Sequence, residues 1–188
     1  LEFVGINIDN YFNNLVTQPK DEYGDYDFET PFALDLNLIN EHLDQLLNKR
    51  LEVTPPFYNF KTGWREPGKE TLRVNNNQIL LIDSLHGLFE QMTSSIAADN
   101  KFKLYIEALC QIKDKHNEFM RWADLRMLRR MVRDSWHRSY NPEMTIGHWH
   151  YVRRAEMKYI VPYINQVDCI LSGALPFELP VHRKYMFK

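Results

Sequence analysis

Short apolar runs of strand length recur along the chain. FVGINI (3–8), ILLID (79–83) and VDCILSG (167–173) are each bounded by polar or turn-forming residues. Runs of this length predict strands that are buried on both faces of a parallel sheet. KFKLYIEAL (101–109) is predicted as a fourth strand, with a helix left open because Glu, Ala and Leu also favour helices.

Between these runs the apolar spacing changes to that of helices. Leucine and isoleucine recur three or four positions apart over 36–47, which predicts an amphipathic helix. A basic helix is predicted over 123–137. A third helix is predicted to begin at the Asn141–Pro142 cap and to run toward Tyr163, with a break around Gly147.

A turn-rich segment separates the first helix from the ILLID strand. YNFKTGWRE (58–66) and TLRV (71–74) flank Pro67–Gly68, which predicts a short antiparallel hairpin that projects from the core. Strands that alternate with helices predict an α/β fold with a mainly parallel sheet. Ligands bind beyond the carboxyl ends of the strands in such sheets, and Asp9 and Asp83 both fall at that edge.

Composition narrows the class of protein. With 188 residues, of which 44% are hydrophobic, the chain can bury a core as a single domain over 1–188. A net charge of -2 offers no general attraction for nucleic acid or an acidic membrane. Two cysteines, Cys110 and Cys169, and the lack of a membrane span or signal peptide predict a cytoplasmic protein. The chain opens without Met inside an apolar run, which predicts that it is cut from something longer.

The basic helix and the residues after it contain a set of four candidate arginines. Three are spaced to share one helical face, and the fourth follows it: Arg126, Arg130, Arg133 and Arg138. Guanidinium groups bind phosphate oxygens and stabilise charge on a transferring phosphoryl group. The alternative is a solvated basic face paired with Asp124 and Asp134.

Two further sets of side chains can carry chemistry. A carboxylate after a buried strand, such as Asp9 or Asp83, can hold Mg²⁺ or accept a proton from a hydroxyl, or it can simply cap a turn. Tyr58, Phe60 and Trp64 can stack on a base, or they can pack the hairpin onto the core.

Several motifs follow one another in order and cover most of the chain. They are IDNYF (8–12), YDFETPFALD (26–35), YNFKTGWRE (58–66), LLIDSLHGL (80–88), and DLRMLRRMVRD (124–134) followed by VRRAEMKYIVPY (152–163). In this order they resemble a known family, the bacterial branch of the uridine kinase and phosphoribulokinase superfamily. The resemblance implies a P-loop NTPase-type three-layer α/β/α fold, a hairpin substrate element and an arginine-rich helical lid over about 123–150.

The resemblance also implies roles for single residues. Asp9 matches the aspartate that activates the nucleoside 5′-hydroxyl, and Asp83 matches the Walker B type carboxylate near Mg²⁺. Tyr58 and Phe60 fall in the segment that contacts the base. The lid residues that close over the phosphates are matched by Arg130, Arg133 and Arg138, and Arg126 is assigned to ATP.

The chain departs from the family pattern at three places. A G-x-x-x-x-G-K-[ST] loop is expected about one helix before residue 1, and no such sequence occurs in the 188 residues. Asp83-Ser84 stands where the family has Glu-Gly, and Ser139 stands where it has Gly. An N-terminally truncated chain is therefore expected, which alone binds ATP poorly and is inactive.

The function that the resemblance implies is ATP-dependent phosphorylation of uridine or cytidine, with Mg²⁺, by the intact parent. One alternative keeps the fold and changes the acceptor to another small alcohol. The other is a degenerate module that binds nucleotide or a protein partner without turnover. A homo-oligomer and an additional N-terminal domain are both compatible with the resemblance.

Overall fold

The computed structural model describes residues 1–109, 111–137 and 141–186. The chain divides into two compact units. Unit 1 is Leu1–Lys101 with Lys158–Tyr163, and unit 2 is Phe102–Met157 with Ile164–Lys188. The single domain that the sequence predicts stays a prediction.

The described residues contain six strands and four α-helices. The strands are β1 Glu2–Asn7, β2 Phe57–Asn59, β3 Trp64–Glu66, β4 Gln78–Asp83, β5 Leu104–Glu107 and β6 Cys169–Ser172. The helices are α1 Leu36–Leu43, α2 Trp122–His137, α3 Pro142–Tyr159 and α4 Glu178–Met186. Parallel strand pairs together with helices confirm the predicted α/β class. Within these residues we find no helix with the length and apolar character that a membrane span requires.

The sheet of unit 1 consists of β1 and β4, which pair in parallel along their whole length. One face packs on the core through alternate residues such as Ile6 and Ile82. The other face exposes Phe3, Ile79 and Leu81. The predicted burial of both faces is therefore wrong in this structure, because among the described residues only one face has a packed layer against it.

Helix α1 packs in the same core. Oδ1 of Asp35 accepts a hydrogen bond from the N–H of Leu38 (3.0 Å) and so caps the helix. A π-helical turn, Asp44–Asn48, continues it. The helix predicted over 36–47 is confirmed, and its fully buried residues are Ile39, Leu43 and Leu46.

Strands β2 and β3 form an antiparallel hairpin that turns at 60–63. Gly63 has a φ of +72°, which glycine adopts without the steric cost of a side chain. A Cβ at Gly63 would lie 3.0 Å from Cβ of Leu15. The turn thus depends on glycine for both its backbone conformation and its close packing.

The hairpin predicted around Pro67–Gly68 is wrong. The segment 58–66 folds back on itself, because the glycine within it reverses the chain. From the segment 71–74, Leu72 exchanges two backbone hydrogen bonds with Val53 (3.0 and 2.7 Å). The pattern indicated extended chain correctly and misplaced the reversal.

The sheet of unit 2 consists of β5 and β6, paired in parallel. The strand predicted over 101–109 is thereby confirmed. Tyr105 and Glu107 lie on its buried face. The predicted burial of β6 is wrong, because exposed apolar side chains lie on both strands: Leu104, Ile106, Ile170 and Leu171.

Both predicted helices of unit 2 are present. Helix α2 begins at Trp122 and ends at His137, within one residue of the predicted range. Helix α3 passes through Gly147 without interruption, so the predicted break is wrong. A glycine inside a helix costs only about 1 kcal/mol relative to alanine, which the flanking turns offset.

Helix α4, for which the sequence pattern makes no prediction, is held to α2 by a two-pronged ion pair. Nε of Arg129 donates to Oε2 of Glu178 (2.6 Å), and Nη2 donates to Oε1 (2.9 Å) and to the carbonyl of Gly173 (2.6 Å). Trp136 meets Tyr185 edge-on, with ring centroids 4.6 Å apart. The segment after β6 is therefore held to α2 by Arg129 and by this aromatic contact.

We predict that Glu178→Gln destabilises unit 2. Burial raises the pKa of Glu178, but hydrogen bonds from Arg129 and from the N–H of Leu175 outweigh it, so the pKa is lowered. Replacing the carboxylate leaves the guanidinium facing a neutral amide, at an expected cost of about 2 kcal/mol in the free energy of unfolding. Urea denaturation of the full chain, followed by tryptophan fluorescence, measures this.

A carboxyl group whose pKa is lowered by folding stabilises the fold at pH values above its ordinary pKa of 4.5. That contribution is lost as the pH falls through the folded-state pKa. The variant and the wild type should therefore converge in acid. Glu118→Gln, on an exposed residue of unit 2, is the matched control and should cost less than about 0.5 kcal/mol. A Glu178→Gln protein as stable as the wild type at neutral pH would show that the ion pair between Arg129 and Glu178 contributes nothing to stability.

Unit 1 contains a buried histidine. His86 is 4% exposed and meets Tyr159 edge-on, with ring centroids 6.0 Å apart. Burial lowers the pKa of His86, while the backbone of Glu29 and the charges of Glu29 and Asp27 oppose this shift in part. Folding thus favours the neutral ring.

We predict that the melting temperature falls as the pH drops below the ordinary histidine value of 6.5, because the unfolded chain then binds a proton that the folded chain resists. His86→Gln should flatten this dependence between about pH 7.5 and about pH 5.5. His116→Gln, in an exposed loop, is the control. An unchanged pH profile for His86→Gln would contradict the prediction.

Candidate active site

The carboxyl ends of β1 and β4 bring the two predicted aspartates to one edge of unit 1. Asn7 is the register partner of Asp83, the last residue of β4. The chain then enters a 3₁₀ helix, Ile8–Tyr11, in which Oδ1 of Asn7 accepts a hydrogen bond from the N–H of Asp9 (3.0 Å). Both Asp9 and Asp83 are exposed.

The 3₁₀ helix explains why Asp9 faces outward. Residues three apart lie on the same side of such a helix, and here Ile8 and Tyr11 are both fully buried. The hydroxyl of Tyr11 lies 2.8 Å from Nδ1 of His42, and burial raises the pKa of Tyr11. The two anchors fix the turn, so Asp9 between them is held toward solvent.

The hairpin β2–β3 is hydrogen-bonded to the segment that follows Asp9. The N–H of Tyr58 donates to Oδ1 of Asn10 (3.2 Å), and the N–H of Arg65 donates to Oδ1 of Asn14 (2.8 Å). The carbonyl of Gly63 accepts from the N–H of Leu15 (2.8 Å). Side-chain amides thus join the hairpin to the turn that carries Asp9.

The two predicted base-contacting residues have different surroundings. Tyr58 is 3% exposed, its ring lies 5.4 Å from that of Phe12, and burial raises its pKa. Phe60 is 66% exposed, and its ring meets Tyr58 edge-on at 5.0 Å. The alternative reading, aromatics that pack the hairpin on the core, therefore holds for Tyr58, whereas Phe60 presents an open ring.

Sequence reasoning missed the ion pair between Arg65 and Asp35. Nη1 of Arg65 lies 2.8 Å from Oδ2 of Asp35, whose other oxygen caps α1. The pair spans 30 positions, which no short motif reveals. A groove of about 470 Å³ opens beside Asp35 and is lined also by Asn13, Phe32, Leu34, Leu36, Asn37, Asn40, Gln91 and Ser94.

Three of the predicted phosphate-binding arginines, Arg126, Arg130 and Arg133, lie on α2 in unit 2. The fourth, Arg138, lies outside the described residues. Nη1 of Arg126 is 2.9 Å from Oε2 of Glu156 and 3.6 Å from Oε2 of Glu107. Both carboxylates are buried, and burial raises the pKa of Glu107 while Arg126 lowers it in part. Arg126 thus pairs with two buried carboxylates of unit 2. Its assignment to ATP stays a prediction.

The two other arginines share one carboxylate. Nε of Arg130 donates to Oδ2 of Asp134 (3.4 Å), and Nε and Nη2 of Arg133 both donate to Oδ1 (3.0 Å each). The expected pairing with Asp134 is therefore present. Asp124 pairs instead with Arg121, whose Nε lies 3.0 Å from Oδ2.

Residues 63–70, GWREPGKE, match the G-x-x-x-x-G-K part of a phosphate loop but have Glu70 where the motif has Ser or Thr. A phosphate loop joins a strand to the start of a helix. Here the residues run from the end of a turn through strand β3 into a loop. A Cβ at Gly68 would lie 1.7 Å from the carbonyl oxygen of Pro55, so this segment is packed against backbone.

Oxygen donors at the end of β4 suit Mg²⁺. This ion is bound through one or two carboxylates, with substrate phosphates and water completing its shell. Asp83 is exposed and is followed by Ser84. Across the described ranges we find no group of three or more His, Cys, Asp or Glu that could hold a metal ion.

Comparisons with known proteins identify related sequences. The Phosphoribulokinase / Uridine kinase family matches residues 6–175. A uridine kinase of Bacillus pumilus is 26% identical over 164 residues, 87% of this chain and 69% of that protein. One of Chloroflexus aurantiacus is 27% identical over 169 residues, 89% and 72% of the two chains. One of Deinococcus deserti is 24% identical over 167 residues, 88% and 72%.

The family match spans most of the chain and includes both strand-end aspartates, the hairpin and helix α2. The resemblance inferred from the ordered motifs is thereby confirmed. This chain belongs to the phosphoribulokinase / uridine kinase family of kinases.

Proposed function

We propose that this chain serves the ATP-dependent phosphorylation of a pyrimidine nucleoside, uridine or cytidine, at the 5′-hydroxyl. The observation that carries the proposal is the exposed Asp9 on a rigid turn, hydrogen-bonded through its neighbour Asn10 to the hairpin that presents Phe60. The relatives named uridine kinase support a nucleoside as acceptor.

Asp9 is the proposed general base. Its carboxylate accepts the proton of the 5′-hydroxyl as the hydroxyl oxygen attacks the γ-phosphorus of ATP. A new P–O bond forms to the nucleoside, the bond between the γ-phosphorus and the bridging oxygen breaks, and ADP leaves with the electron pair. The buried side chains of Ile8 and Tyr11 hold Asp9 in place.

The other residues have roles in charge compensation. Asp83 would hold Mg²⁺, which would supply positive charge to offset the charge of the phosphates. Arg130, Arg133 and Arg138 are proposed to neutralise charge on the transferring phosphoryl group. Arg126 is the proposed further contact to ATP, for which it must exchange its present carboxylate partners.

Phe60 is the proposed stacking surface for the pyrimidine ring of the nucleoside, with Tyr58 behind it. An exposed ring held edge-on by a buried neighbour offers its face to a planar ligand at little entropic cost. The amides that tie the hairpin to residues 10–15 set the distance between this ring and Asp9.

We predict that ADP release depends on a pyrimidine nucleoside. The assay uses the longest natural chain that contains this sequence, with ATP and Mg²⁺, and compares uridine and cytidine with a panel of other alcohols. Release with another alcohol alone would replace the nucleoside as substrate and keep the kinase. No release with any acceptor would favour a module that binds without turnover.

Asp9→Asn tests the role of Asp9 as the general base in the same assay. Loss of general-base catalysis should lower kcat by at least about 100-fold. Nucleoside binding, measured by calorimetry, should change little because the amide keeps the shape of the side chain. Asp99→Asn, an exposed aspartate of unit 1, is the control. An unchanged kcat for Asp9→Asn would refute the assigned role.

We predict that Phe60→Ala raises KM for the nucleoside roughly threefold to tenfold, with a smaller effect on KM for ATP. The matched control is Phe57→Ala, which removes an exposed ring from the same hairpin. Equal effects of the two substitutions would show that the hairpin's stability, and not stacking on Phe60, was being measured.

A further inference from the structure

The two guanidinium groups of Arg130 and Arg133 converge on one buried carboxylate. Asp134 is 1% exposed, and its two oxygens are divided between them: Oδ2 accepts from Arg130 (3.4 Å) and Oδ1 accepts twice from Arg133 (3.0 Å each). Arg133 nevertheless keeps half of its side chain exposed. One carboxylate thus holds a partly open cationic pair.

Helix geometry makes this arrangement specific for Arg133. Arg130 and Asp134 are four residues apart and lie on one helical face, so their contact is an ordinary one. Arg133 directly precedes Asp134, and adjacent residues on a helix point in different directions. The side chain of Arg133 must therefore fold across the helix surface to reach Asp134, which brings it toward Arg130.

The carboxylate of Asp134 reduces the repulsion between the two guanidinium groups. The half-exposed side chain of Arg133 is accessible to a phosphate oxygen. An arginine already held in place loses less side-chain freedom when it binds an anion.

We propose that Asp134 is a positioning residue, which holds Arg130 and Arg133 as a preformed pair for the phosphate oxygens of ATP. This inference rests on the proposed function, because the pair is useful only if these arginines meet a polyphosphate. Asp134 acts through the two arginines and touches neither the nucleoside nor the reacting atoms.

Steady-state kinetics of Asp134→Asn test the inference. We expect kcat/KM for ATP to fall about tenfold to 100-fold, with KM for the nucleoside unchanged. Asp124→Asn is the matched control, since Asp124 lies on the same helix and holds Arg121 in an exposed pair. An effect confined to the melting temperature, with kcat/KM for ATP within about twofold of the wild type, would overturn the proposal.

A double-mutant cycle separates positioning from general support of the fold. Arg133→Ala should cost much less in the Asp134→Asn background than in the wild type, because the arginine is already displaced there. Equal fold-losses in both backgrounds would contradict the inference. Should Asp134→Asn not fold, Asp134→Glu keeps the buried charge but shifts it by one methylene, and it should reproduce the loss of kcat/KM.

Binding of inorganic tripolyphosphate separates this inference from the proposed function. Calorimetry on the same proteins needs no nucleoside and no turnover. A roughly tenfold higher Kd for Asp134→Asn supports positioning even if no nucleoside is phosphorylated. An unchanged Kd overturns positioning even if the wild type proves to be an active nucleoside kinase.

Discussion

The parallel ladder between β1 and β4 is the constraint on which the arrangement of unit 1 depends. Its register pairs Asn7 with Asp83, so both strands end at the same level. A shift of one residue would reverse the faces of every side chain on the strand and would move Ile6 out of the core. The position of Asp9 follows from this ladder, because the capping turn begins at Asn7.

Unit 2 is organised by buried carboxylates. Glu107, Asp134, Glu156 and Glu178 are all buried, and each is paired with an arginine of α2. Removing one partner from such a pair leaves an uncompensated charge, which makes the set strongly interdependent. Arg126, one of the arginines that suggest phosphate binding in the sequence, therefore also joins α2 to β5 and α3, and these two uses compete for its guanidinium group.

The elements with strong periodicity were predictable from the sequence, and their surroundings were not. Strands β1, β4, β5 and β6 and helices α1 and α2 follow from local runs of apolar residues. Burial on both faces of the strands did not follow, because it depends on which layers pack against a sheet. The hairpin turn was misplaced because the left-handed conformation of Gly63 is invisible in a pattern of apolar and polar residues.

The candidate site shows the same division between local and distant information. Asp9 and Asp83 could be placed together from strand ends alone, since parallel strands share an edge. Partners such as Asp35 with Arg65, or Arg126 with Glu156, are about 30 positions apart and needed the folded chain. Basic side chains at helical spacing therefore indicate where a helix has cations, whereas their carboxylate partners decide which of those cations remain open to an anion. By that criterion the half-exposed Arg133 is better placed than Arg126 to meet a phosphate.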